Sequence, residues 1–267
     1  MIGFFRKIRK KLADDNKPLK YMRYAVGEIV LVVIGILIAL QINNWNEELK
    51  NQKNEYSFYR DILSDLEKDS IKLNGLNIYY KNRIEHAGWL LKKVRNPNSP
   101  FENEEFGKHV EPLYIGPLPV TYNSSYEAAK SSGAFTNFKN EEILKTLNQF
   151  YADFEELNGI AESTLNSLES NLEPLMSSIT ENYITLESGA YVIMSDWHGR
   201  SGFYEFIDDI KDERNLIVDI KVFIQKPQFE HYLIGDLGRS FNALASLKLR
   251  EERLVKIKNE IKEYIKD

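Results

Sequence analysis

Residues 25–42, AVGEIVLVVIGILIALQI, constrain the fold of this chain more than any other feature. Twelve of these eighteen residues are Val, Ile or Leu, and no polar side chain interrupts Ile29 to Leu40. As a helix the run is about 27 Å long, enough to cross a hydrocarbon core. At roughly 0.3–0.6 kcal/mol for each central aliphatic residue, insertion is favoured by about 5 kcal/mol. Glu28 and Gln41 oppose it, but both lie near the ends, where polar groups reach the interface cheaply. A buried core helix can be equally apolar, so the flanks decide. Lysines and arginines precede the run, Tyr21 and Tyr24 stand at one edge, and Trp45 stands at the other. The pattern predicts a transmembrane helix over residues 24–43, with Arg23, Tyr24 and Trp45 as interfacial anchors. A cleaved signal peptide is the rival reading. Its basic region would be unusually long and no small-x-small site comes after the run, since Ala39 is preceded two back by Leu37.

Charge sets the expected direction. Residues 1–23 hold eight basic side chains against Asp14 and Asp15, a net of +6, which leaves −11 of the whole-chain −5 for the remainder. The positive-inside rule places a basic tail, residues 1–23, in the cytoplasm and residues 44–267 outside; with two membranes, outside is the periplasm. Ile2, Phe5, Ile8 and Leu12 fall at helical spacing among the basic residues. They read either as a short amphipathic helix on anionic lipid or as a tail that only sets topology. The acidic main body would repel phosphate backbones, so no nucleic acid is expected as a partner. The chain has no cysteine, which excludes disulfides, thiolate metal sites and cysteine nucleophiles.

Beyond the anchor the spacing is helical. Trp45, Leu49, Tyr56, Tyr59, Leu63, Leu66, Leu73, Tyr80, Ile84, Ala87, Leu91 and Val94 keep alternating steps of four and three, with Gln52, Ser70 and Asn77 interrupting. One long helix is predicted over residues 45–95, continuous with the membrane helix and stopped by Arg95-Asn96-Pro97. Residues 96–139 hold five prolines and should be loop-rich, with a short helix near residues 103–110. Ser124-Ser125-Tyr126-Glu127 has the capping-box pattern, opening a helix closed at Gly133. A helix over residues 140–188 starts at Asn140 and should kink or end at Pro174. Residues 189–226 are expected to be irregular, with helical pieces from Phe203 to Ile210 and from Asn215 to Ile224. A last long helix runs over residues 227–265, with Pro227 first and Phe229, Leu233, Leu237, Leu244, Leu247, Leu254, Ile261 and Ile265 as its buried stripe. The fold class is all-α: an N-terminal transmembrane helix running into an elongated antiparallel, coiled-coil-like bundle with an irregular proline-rich middle.

Sites for chemistry are hard to find. His86, His109, His198 and His231 are each isolated in sequence, and no nucleophile elbow or phosphate loop is present. No catalytic residue, cofactor or metal site is expected. Asp196-Trp197-His198 is the most site-like cluster, though a turn with a Trp plug covering the bundle end is the simpler reading of it. Tyr56, Tyr59, Tyr79 and Tyr80 read as core with their hydroxyls reaching water. Within the membrane helix, Glu28 and Gln41 are candidate polar contacts, Glu28 either pairing with Arg23 or meeting another helix. Gly35 and Ala39 form a small-xxx-small pair that would admit a second helix.

The stretch GEIVLVVIGILIALQINNWNE, residues 27–47, resembles the N-terminal signature of a family of uncharacterised single-pass membrane proteins. These proteins are common in flavobacteria and their relatives and are catalogued as a domain of unknown function. TYNSSYEAAKSSGAF, residues 121–135, is similar to that family's midsection. The resemblance implies a bacterial inner-membrane location and no established activity, cofactor or catalytic residue.

Three functions are expected. The foremost is a membrane-anchored interaction, scaffold or accessory module of the cell envelope. Its partners would be the lipid bilayer and either a second copy (a homo-oligomer) or another membrane protein. The alternative is a ligand-sensing bundle acting through a membrane partner, because about 23 cytoplasmic residues are too few for an output domain. An envelope hydrolase or transferase comes third. An interaction module should show an apolar surface stripe, a sensor an enclosed pocket, and an enzyme a cleft of converging ionisable groups.

Overall fold

The structure, a computed structural model, describes residues 18–117, 119–179, 206, 209–210 and 219–266. Every regular element among them is helical. The first, α1 (Pro18–Arg95), includes both the apolar run and the heptad segment without a break. It stops where expected: Lys92, Lys93 and Arg95 face the negative end of its dipole, and Pro97 holds the chain out of the helical region. Backbone contacts divide the chain into two units. The first is Met1–Ser57 with Asn137–Lys139, and the second is Phe58–Thr136 with Asn140–Asp267.

The proline-rich middle of the second unit folds as short helices. These are α2 (Asn103–Val110), a 3-10 turn (Glu111–Tyr114) and α3 (Ser124–Ser131). The capping pattern at Ser124 does not form. Asn123 precedes α3 and makes no side-chain cap, while the Ser125 hydroxyl and amide both turn to Asp65 of α1. A carboxylate three residues on does serve α2, where Glu105 accepts the Glu102 amide. Gly133, at φ +72°, comes after α3 in the left-handed conformation its position requires.

Asn140 caps α4 (Glu141–Ala152) by accepting the Ile143 amide. The single helix expected over residues 140–188 is divided among the described residues. A turn at Asp153 separates α4 from α5 (Phe154–Ser167), a π-helical turn covers Leu168–Leu172, and α6 is only Glu173–Met176. Pro174 sits second in α6, just past the widened turn, where its missing N–H breaks no α-helical bond. One-turn α7 (Ile220–Phe223) is capped by Asp219, and α8 (Pro227–Tyr264) opens on its proline. The basic tail before residue 18, the Asp196-Trp197-His198 cluster and most of the expected irregular stretch lie outside the described residues.

The core of the second unit has three helical layers. Glu67 meets Lys258, Arg83 meets Asp236 and Arg95 meets Glu230, so α8 runs antiparallel to α1 at nearly constant register. On its other side, Arg253 pairs with Asp153 and Arg239 donates to Ser167, so α5 is also antiparallel to α8. The α2 helix and α7 close one end over Ala87, Leu90, Phe106, Leu113, Leu172, Phe223 and Phe229, all buried together.

Candidate functional site

In the first unit the apolar run is bare. Ile29 to Ile34, Ile36 to Ile38, Leu40 and Ile42 are all exposed, and the most apolar stretch, at mean hydropathy 2.6, has no buried residue. One helix is therefore long and apolar enough to cross a membrane near the N-terminus. Arg23, Ala39 and Gln41 are exposed, Glu28 is half-buried, and Trp45 is 64% exposed. The Tyr24 side chain lies outside the described set. A Cβ at Gly35 would meet nothing within 4 Å, and Ala39 lies one turn further along the same face. The grooves along residues 34–49 are shallow and open.

The second unit has the opposite character. Tyr59, Leu66, Leu73, Tyr80 and Ala87 are buried, as their spacing predicts. The other half of the seam falls one residue earlier than the apolar pattern suggests. Leu63, Ser70, Asn77, Ile84 and Leu91 are half-buried, while Ile62, Asp69, Arg83 and Leu90 are buried. On α8 the same shift puts Asp236 and Ala243 in the core in place of Leu237 and Leu244. Charged residues therefore occupy seam positions. Asp69 and Arg83 are fourteen residues apart on α1, and Asp236 and Arg250 are fourteen apart on α8. Antiparallel pairing sets Arg83 against Asp236 and Arg250 against Asp69. A parallel pairing would set Asp against Asp and Arg against Arg, so the charges specify direction as well as register.

Arg83 is 1% exposed and all its donors are engaged. Its Nε and Nη2 hold Asp236 at 2.7–3.1 Å. Nη1 donates to the Tyr79 hydroxyl and to the carbonyls of Pro112 and Ile115. Nη2 also reaches the Leu113 carbonyl and the Tyr232 hydroxyl. Burial opposes the guanidinium charge, but Asp236 outweighs it and the pKa rises. The second pair is looser. Arg250 lies 3.9 Å from Asp69, with the Thr121 hydroxyl bridging them at 2.9 Å on each side. Here burial prevails and pulls Arg250 down to about 10, while burial likewise raises Asp69.

The carboxylates of α1 also terminate the middle segment. Asp69 accepts the Tyr122 amide and Asp65 accepts Ser125. In the first unit, fully buried Glu55 accepts the Lys139 amide with both oxygens. Glu55 stands fourteen residues before Asp69. These groups bind backbone and one another, an arrangement that fixes loops.

Two histidines isolated in sequence meet in space. His86 of α1 and His109 of α2 place their Nδ1 atoms 2.9 Å apart, and Trp89 stacks on the His109 ring at 4.0 Å and 7°. Burial lowers both pKa values, that of His109 to about 4. Apolar spacing reports neither the histidine pair nor the charged seam. The signal for the seam was the fourteen-residue recurrence of Glu55, Asp69 and Arg83. The histidine pair has no local signal, since the contact crosses a loop. Among the described residues, no group of three or more His, Asp or Glu side chains is placed to hold a metal.

Residues 28–154 match a family of unknown function, DUF6090. The matched stretch begins inside the apolar run and ends just after α4. It contains Asp65, Asp69, Arg83 and their backbone partners, and both histidines, but not Asp236 or Arg250. No curated protein and no solved structure matches the chain.

Proposed function

We propose that the chain is a membrane-anchored, extracytoplasmic helical module that presents a surface to envelope partners. The basic residues before the apolar run favour a cytoplasmic tail and residues 44–267 on the far side, the periplasm of a cell with two membranes. The observation that carries the interaction reading is on α8. Its inner seam is buried, yet Ile234, Phe241, Leu249 and Val255 are exposed on the outer side, Phe241 at 59%. Large apolar side chains gathered on one exposed helix face are the kind of surface that a partner would bury. The buried ionisable groups, by contrast, are engaged in holding backbone, which favours a scaffold over an enzyme.

The test is photo-crosslinking in intact cells from residue 241 or 255 of the full chain, with exposed residue 145 of α4 as control. Recovery of one defined membrane or periplasmic protein from 241 and 255 supports the module. Crosslinks to solvent alone, or equal yields from all three positions, would end this reading. An alkaline phosphatase fusion after residue 266 checks direction independently, since activity requires an extracytoplasmic C-terminus.

A further inference from the structure

We propose that His86 and His109 form a two-imidazole site for a divalent transition metal, with Cu2+ the preferred ion. Two ring nitrogens face each other at 2.9 Å from different helices. Imidazole nitrogens bind such ions at about 2.0–2.1 Å, so rings that kept this 2.9 Å separation on binding would subtend roughly 90° at the metal. A tetrahedral ion would need the nitrogens about 3.4 Å apart at those bond lengths. Right angles belong to square-planar and octahedral centres, which Cu2+ and Ni2+ adopt and Zn2+ in structural sites does not.

The rings are held in place before any ion arrives. Trp89 stacks on His109, and Phe101 packs edge-on against Trp89 at 6.0 Å. The α2 helix that carries His109 is anchored by buried Phe106 and Val110. Both imidazoles are half-exposed, so solvent reaches the pair. With no third His, Asp or Glu placed to join them among the described residues, water fills the remaining positions. Glu105 and Glu85 favour a cation nearby; Lys108 and Lys93 oppose it. The Lys93 ammonium is occupied by Ser99 and the Pro100 carbonyl. Without metal, one Nδ1–H donates to the other Nδ1. On binding, that hydrogen moves through solvent to Nε2 of the same ring, both Nδ1 lone pairs go to the metal, and no net proton is released.

The experiment titrates the detergent-solubilised full chain with CuCl2, reading tryptophan fluorescence and electron paramagnetic resonance. A single equivalent should quench Trp89, and the spectrum should show nitrogen hyperfine structure in a tetragonal site. Ni2+ should compete better than Zn2+. Trp89→Phe should remove most of the quenching but keep the resonance signal. His86→Gln and His109→Gln should each weaken binding about tenfold or more, since loss of even an outer partner costs 10–100-fold. His198→Ala with His231→Ala should change nothing. Failure of the wild-type chain to bind one equivalent overturns the site whatever the variants do, as does unchanged binding in a folded His86→Gln/His109→Gln protein. Then the pair is only a shared-proton contact.

Discussion

From residue 25 to 42, α1 is almost wholly apolar and almost wholly uncovered; from residue 58 to 90 it buries Asp65, Asp69 and Arg83. Ile36 and Leu37 are more than half exposed, whereas Arg83 and Asp69 are at about 1%. Burial by protein therefore does not track hydrophobicity along this helix. Among the described residues no protein covers the apolar part, which in water would be a severe liability and in lipid is none. The charged part is covered because each charge meets a designated partner, and an unpaired buried charge would cost several kcal/mol. One helix thus obeys two rules, set by two surroundings.

Four single variants and one double variant test that contrast. The largest effect should come from Arg83→Met, which leaves Asp236 buried without its partner. A loss of about 3–5 kcal/mol is expected in denaturant unfolding, much of it regained in Arg83→Met/Asp236→Leu. Unfolding midpoints within error of wild type for the single variant would show that the seam charge is idle. Next, Ile36→Arg should oppose membrane insertion by roughly 2.5–3.5 kcal/mol. Membrane fractionation should register it while the melting temperature of the second unit stays put, and a drop in that temperature would mean the run is structural core. Asp65→Ala, which takes the acceptor from Ser125 at the start of α3, should cost about 1 kcal/mol, with α3 amides exchanging faster.

The smallest effect belongs to Glu67→Gln at the exposed contact with Lys258. The Lys258 hydrogen bond and charge lower the Glu67 pKa from 4.5. The stabilisation is therefore present above 4.5 and fades as pH falls through the lower folded value. Wild type and variant should melt at slightly different temperatures near neutrality and together in strong acid. A difference that grows on acidification would contradict the assignment.

The all-α class, the uncovered run, the stop at Pro97 and the proline start of α8 were legible because each depends on local chemistry. The seam was half legible. Leu66, Leu73 and Tyr80 were placed correctly, but Leu63, Ile84 and Leu237 were chosen where Ile62, Arg83 and Asp236 are buried. Apolar residues border the seam on both sides, and only the partner helix decides which flank turns inward. The break at Asp153 and the π turn before Pro174 also depend on packing against α8. The meeting of His86 and His109 depends on how the proline-rich loop folds back, which no spacing rule reports.

The carboxylates that terminate the middle segment bear on the order in which the chain is made. Asp65 and Asp69 leave the ribosome more than fifty residues before the amides of Tyr122 and Ser125 that they receive, so a finished α1 can act as a template for the segment synthesised after it. Arg83 is different. Its counter-charge, Asp236, is synthesised about 150 residues later, on the last helix. Until then its carbonyl partners satisfy hydrogen bonds but not charge, and water has to remain around it. Closure of the second unit is therefore a late event in translation, long after the apolar run of α1 has been made.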